Sequence, residues 1–173
     1  MSERTPTEVK NLDRYGNEAL PWSRPRDILA VGSQGMEITF FLGTVGPDGL
    51  PHAAGIGPVW YDGDLYLTSS PAARKARNIE SNPACTISVR LSTIDLVFED
   101  EAHRVTDEGT LRAVVAVYNA GGWPVTVAAD AFTAPFNAPS AGAPPYYVYR
   151  FRFHTVYGVA TVEPYGATRW RFE

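Results

Sequence analysis

Residues 58–79 read Pro58-Val59-Trp60-Tyr61-Asp62-Gly63-Asp64-Leu65-Tyr66-Leu67-Thr68-Ser69-Ser70-Pro71-Ala72-Ala73-Arg74-Lys75-Ala76-Arg77-Asn78-Ile79. Asp62-Gly63 sits between two runs of aromatic and aliphatic residues, and both residue types tolerate the positive φ of a tight hairpin turn. The strand that follows, Leu65 to Thr68, ends in three hydroxyls: Thr68, Ser69 and Ser70. Serine caps helices and proline suits the first helical position. A helix is therefore expected from Ser70-Pro71 through Arg74, Lys75 and Arg77 to Ile79, stopped by Asn82-Pro83. Hydroxyls at a strand end thus meet three cations on the first turns of a helix, whose leading N–H groups have no intrahelical acceptor. Two readings fit: an anion cradle, or a capped helix with a solvated basic face. Residue types and spacing alone do not choose between them.

Upstream, Glu37 to Val45 is rich in β-branched and aromatic residues and reads as a strand. Gly46-Pro47-Asp48-Gly49 is a turn. A second strand, Pro51 to Tyr61, is loosened by Gly55, Gly57 and Pro58. With Leu65–Thr68 these form an antiparallel meander. Pro25 to about Gly32 suits a short helix beginning near Ser23 or Arg24. Residues 1–24 are polar and proline-punctuated, an arm ahead of a domain spanning 25–173. Downstream come strands over Ala84–Val89 and Asp95–Val105, then a helix from Asp107 to Tyr118. That helix carries Leu111, Val114, Val115 and Tyr118 at helical spacing, and Gly121-Gly122 ends it. Residues 123–145 are rich in Ala, Pro and Gly, and a loop so long is uncommon unless it covers a ligand or a partner. Tyr146 to Phe153 alternates, with Tyr147, Tyr149, Phe151 and Phe153 on one face and Arg150 and Arg152 on the other. Thr155–Val162 and Ala167–Phe172 read as closing strands. The pattern predicts a mainly β (α+β) domain, a small barrel of about seven strands with short helical inserts.

Composition narrows the function classes. At 173 residues, 45% hydrophobic and 20% charged, the chain suits one globular domain with a substantial core. The net charge of −4 argues against nucleic acid as a partner. No run approaches the ~20 apolar residues of a membrane span, and the N-terminus lacks a signal-peptide core. A soluble cytoplasmic protein is expected. Cys85 is the sole cysteine, and His52, His103 and His154 have no paired-ligand spacing, so no metal site is expected. Hydrolase-elbow, P-loop and dinucleotide fingerprints do not occur. Thirteen arginines accompany two lysines, Lys10 and Lys75; arginine's planar fork suits phosphate and carboxylate.

The order of motifs resembles the split β-barrel of pyridoxamine 5'-phosphate oxidase-like proteins. Gly49-Leu50-Pro51-His52, Pro58 to Gly63, Tyr66-Leu67-Thr68, Arg74 to Ile79 and Asn82-Pro83 carry the likeness. Gly122-Trp123-Pro124, Pro135-Phe136, Ala138 to Gly142, Pro145 and Thr168 to Phe172 extend it toward flavin- and deazaflavin-dependent members. The resemblance implies an FMN-binding split β-barrel holding FMN or the deazaflavin coenzyme F420 at a homodimer interface. It implies a phosphate against Thr68, Ser69, Ser70, Arg74 and Lys75, with Arg77 and Asn78 on the same helix. Pro58, Val59 and Trp60 would line the ring, and Arg169 and Trp170 would reach in from the other subunit. Two departures matter. The tail lacks the family's arginine-histidine signature for substrate phosphate. Ala53-Ala54-Gly55-Ile56 stands where an arginine and a lysine grip the FMN phosphate. These departures weaken a vitamin B6 assignment and the case for tight FMN; deazaflavin fits better, which points to an F420-dependent oxidoreductase passing hydride between reduced deazaflavin and a small unsaturated or quinone-like acceptor. The alternatives are an FMN-binding oxidoreductase of the same family, a non-catalytic flavin- or haem-binding split barrel, and a lipocalin-like carrier that shares only the barrel. No catalytic side chain stands out, because such a cofactor carries the hard chemistry.

Overall fold

A computed structural model describes residues 4–31, 38–138 and 142–173. Eleven strands and three helices follow in the order β1 (Glu8–Asn11), α1 (Ser23–Ala30), β2 (Phe40–Val45), β3 (Pro51–Ile56), β4 (Val59–Tyr61), β5 (Asp64–Ser69), α2 (Arg74–Ser81), β6 (Ala84–Arg90), β7 (Ile94–Val105), α3 (Glu108–Ala120), β8 (Thr126–Ala128), β9 (Ala131–Thr133), β10 (Tyr147–Ala160) and β11 (Ala167–Arg171). All pairings are antiparallel. The main sheet runs β1-β11-β10-β7-β6-β2-β3, and β5 with β4 branches from β10. The Asp62-Gly63 turn forms as expected, with both residues at positive φ between the paired Tyr61 and Asp64.

The strands expected over Tyr146–Phe153 and Thr155–Val162 are one strand, β10, which carries a bulge between Phe153 and Thr155. The extra residue changes the parity of the strand. Tyr149, Phe151 and Phe153 point inward before the bulge, and Val156, Gly158 and Ala160 after it. β10 pairs with β5 over its first residues and with β11 over its last, so one strand serves both branches of the sheet. Its tyrosine and phenylalanine face is the barrel interior, which removes it as a surface for a second subunit.

Three further elements depart from the sequence reading. The strand expected over 51–61 breaks at Gly57-Pro58 into β3 and β4, where proline has no N–H for a ladder. The 123–145 segment contains the hairpin β8–β9. The arm contributes β1, an edge strand on β11, and inserts Leu20 and Trp22 into the core. The expected ends at Gly32 and Glu37, and Pro139 to Ala141, lie outside the described residues. The core has two parts. One fills the barrel with Leu42, Ile87, Phe98, Phe151, Phe153 and Trp170; the other packs Tyr66, Val105, Leu111, Val114, Phe132 and Tyr146 beneath α3 and the β8–β9 hairpin.

Candidate functional site

A cavity of about 440 Å³ opens between the end of β3, the β5–α2 junction and the segment after α3. Its walls include Gly55, Gly57, Pro58, Val59, Thr68, Lys75, Tyr118, Trp123 and Tyr146. The volume falls within the usual ~300–1,000 Å³ of small-molecule sites. Gly57 has open space where a Cβ would stand, so the wall there is bare backbone.

Lys75 dominates the electrostatics. It is only 7% exposed and lines the cavity, with no ion-pair or hydrogen-bond partner among the described residues. Burial pushes its ammonium below the usual lysine range, and no carboxylate offsets that shift. Buried charges are normally paired; this one faces open space. α2 starts at Arg74, three residues later than its sequence suggests. Ser70 is spent on the preceding turn, where its hydroxyl accepts from the Ala72 N–H and its carbonyl from the Ala73 N–H. Ala73 occupies the cap position and gives no side-chain cap. The first-turn N–H groups beside Lys75 therefore have no side-chain acceptor, which favours an anion.

Part of the lining is aromatic. Gly122, at a φ of +87°, closes α3 in a Schellman turn, its N–H donating to Asn119 and that of Trp123 to Tyr118. This turn brings the Trp123 ring to 5.1 Å from Tyr118 and 5.7 Å from Tyr146. The Tyr118 hydroxyl lies 3.0 Å from the Tyr66 carbonyl and 3.1 Å from that of Gly57, and burial pushes its ionisation upward. Tyr146 accepts from the Ala138 N–H at 2.9 Å and donates to the Gly142 carbonyl at 2.7 Å, holding cavity-lining Ala138 in place. Tyr118, Trp123, Tyr146 and the Gly55–Gly57 wall are absent from the sequence-derived site. Gly122-Trp123-Pro124 belonged to the family pattern and was the available signal for Trp123.

The other expected residues are dispersed. Pro58, Val59, Thr68 and Lys75 meet at the cavity. Trp60 stacks on Phe153 at 5.9 Å and packs against the barrel core instead. Ser69 is buried, its hydroxyl donating to the Ser70 carbonyl, and Asn78 donates to the Thr44 hydroxyl, fastening α2 to β2. Arg74 is exposed, and Arg77 donates to the Ala72 carbonyl at 2.7 Å. Trp170 is fully buried, its indole donating to Leu20, and Arg169 is held by Glu8 across the β1–β11 pair. Both are committed within their own chain because the arm packs over them. Among the described residues no cluster of metal-ligating side chains occurs, and no helix is long and apolar enough to cross a membrane.

A family model described as pyridoxamine 5'-phosphate oxidase matches residues 35–160. No curated protein matches the sequence. Among solved structures, general stress protein 26 from Bacillus anthracis shares 22% identity over 78% of this chain and 93% of its own, with a TM-score of 0.52. A haem-binding protein from Mycobacterium smegmatis shares 15% over 86% of this chain and 58% of its own, with a TM-score of 0.60. An F420 reductase shares 20% over 71% and 91%, with a TM-score of 0.50. At these identities the structural likeness concerns the fold.

Proposed function

Since this chain belongs to the pyridoxamine 5'-phosphate oxidase family of split barrels, we propose that the Lys75 cavity holds coenzyme F420 and that the protein is an F420-dependent oxidoreductase. The observation that carries this reading is Lys75, a nearly buried cation without a partner among the described residues, on the wall of a ring-sized cavity. Its ammonium would take the cofactor phosphate, with Thr68 and the uncapped first turn of α2 beside it. Pro58, Val59, Tyr118 and Trp123 would face the ring. When bound, the cofactor supplies a hydride for an unsaturated or quinone-like acceptor. The protein's own part is to orient the ring and keep water from it.

The choice of F420 over FMN rests on charge. Gly55 and Ile56 line the wall where a basic strand would grip FMN, and Lys75 is the one cation lining the cavity among the described residues. Outside it, exposed Arg74 and Arg77 on the same helix would steer a polyglutamate tail. Haem suits the site poorly. Among the described residues no His, Cys or Met lines it, and both tyrosine hydroxyls are engaged. The cavity's open side calls for a second wall, which a homodimer would supply. Phe41, 51% exposed, pairs across from cavity-lining Gly55 and offers an apolar border for that contact.

Fluorescence titration with F420 and with FMN, at low and moderate ionic strength, tests the reading. F420 should bind more tightly, and its affinity should fall as salt rises. Lys75→Ala should weaken it by about tenfold or more, the scale of a lost charge-assisted hydrogen bond. Tighter FMN binding, or flavin retained through purification, would turn the assignment to an FMN oxidoreductase. Unchanged affinity in folded Lys75→Ala would remove the phosphate site.

A further inference from the structure

The chain has two lysines, Lys10 and Lys75. Lys10 is exposed on edge strand β1, whereas Lys75 is 7% exposed and lines the cavity of about 440 Å³. Among the described residues Lys75 has no hydrogen-bond or ion-pair partner, and its Nζ is not sealed off by protein, so a molecule in the cavity can reach it. An ammonium so placed loses hydration and gains no counter-charge, and burial lowers its pKa from the ordinary lysine value. A larger share of it is then the neutral amine, whose lone pair is a nucleophile.

Apart from Lys75, no charged side chain lines this cavity among the described residues. Phe40, Ile56, Pro58, Val59 and Trp123 give it apolar and aromatic surface, and Gly57 leaves room where a Cβ would stand. Such a lining takes a flat, uncharged molecule. To a molecule of that kind an amine offers one strong interaction, a bond to a carbonyl carbon. The Nζ lone pair attacks that carbon, and the C=O π pair moves to oxygen. The oxygen then leaves as water with the two amine protons, giving C=N. No oxidant or reductant is consumed. The neutral imine has no charge to desolvate, so burial favours it over the unpaired ammonium it replaces.

We propose that Lys75 forms a reversible imine with an aromatic aldehyde bound in this cavity. A phosphate on Nζ holds it as an ammonium without a lone pair, so the imine belongs to the cavity when no anion occupies it. This chemistry needs only Lys75 and its apolar surroundings, and does not depend on F420 being the cofactor.

Reductive trapping tests it. The full chain, with no cofactor added, is incubated near neutral pH with 2-naphthaldehyde and sodium cyanoborohydride, which reduces an imine to a stable secondary amine. Peptide mass mapping then locates the adduct. Lys75 should react about tenfold or more faster than Lys10, a modest part of what holding two reactants together gives, and its rate should saturate with aldehyde. In urea the two lysines should react at similar rates. Lys75→Arg keeps the cation but forms no such adduct, and should abolish the saturable reaction. If that variant fails to fold, the wild-type comparison of the two lysines decides. Lys10 reacting as fast as Lys75 in the folded chain, a Lys75 rate that rises linearly with aldehyde, a preference unchanged in urea, or a saturable adduct in folded Lys75→Arg would overturn the proposal.

Discussion

Lys75 carries a cost in the ligand-free protein, because its ammonium is partly desolvated with no carboxylate to offset the loss. Replacing it with methionine should raise the melting temperature of the free protein while abolishing anion-dependent stabilisation. The pH dependence follows from linkage. The folded chain holds this proton less tightly than the unfolded chain, so stability should rise with pH as the ammonium deprotonates below the ordinary lysine range. Wild type and Lys75→Met should therefore converge as pH rises toward the ordinary lysine pKa of about 10.4, and thermal melts of both up to that pH check this. Gly158 makes a different demand. A Cβ there would stand 2.6 Å from the Trp170 ring and 2.9 Å from Ile94, so Gly158→Ala should cost about 1–3 kcal/mol in urea unfolding. Cys85 is buried, with its thiol pushed up to about 12. It should resist a thiol reagent at pH 8 until the protein is denatured.

At the scale of elements, α3 and the arm are held by polar ties that a core inventory would miss. Tyr118 links α3 to the backbone of β5 and of Gly57. Tyr118→Phe leaves buried carbonyls short of a donor and should cost about 1–3 kcal/mol, with loosened cofactor binding as the second readout. The arm is fixed by Arg4, whose guanidinium donates to buried Asp64 at 2.7 Å and lies 4.5 Å from the Phe153 ring centroid. Arg150 donates to the other oxygen of Asp64, so Arg4→Ala should destabilise without unpairing the carboxylate. α2 begins later than its sequence suggests for a local reason, since a serine can satisfy a turn as readily as a helix cap. The continuous β10 reads as two strands in the sequence because a bulge mimics the end of one alternating run and the start of another.

For the whole molecule, the proposed dimer is the feature to test. Sedimentation at micromolar concentration should give twice the 18.9 kDa chain mass, and Phe41→Asp should shift it to the monomer while the circular dichroism spectrum is retained. A wild-type monomer would leave the cavity without its second wall. The outward face available for that contact is not the aromatic face of β10, which the barrel itself consumes. Alternation identified the apolar face of that strand but not the side on which a neighbouring strand would cover it.

Local chemistry was enough to locate the hairpin at Asp62-Gly63, the strands of the meander, α3, and the cations at the β5–α2 junction. Turn preferences, alternation and helical spacing all act over a few residues. The motif order from Gly49 to Pro83 also pointed to the family whose model matches residues 35–160. Only the tertiary structure separated the cations: Lys75 turns into a cavity, Arg74 stays in solvent and Arg169 closes on Glu8. The same packing sent Trp60 and Trp170 to the core and brought Trp123 to the site. A side chain's desolvation depends on what long-range pairing stacks against it, and neither residue type nor local spacing encodes that.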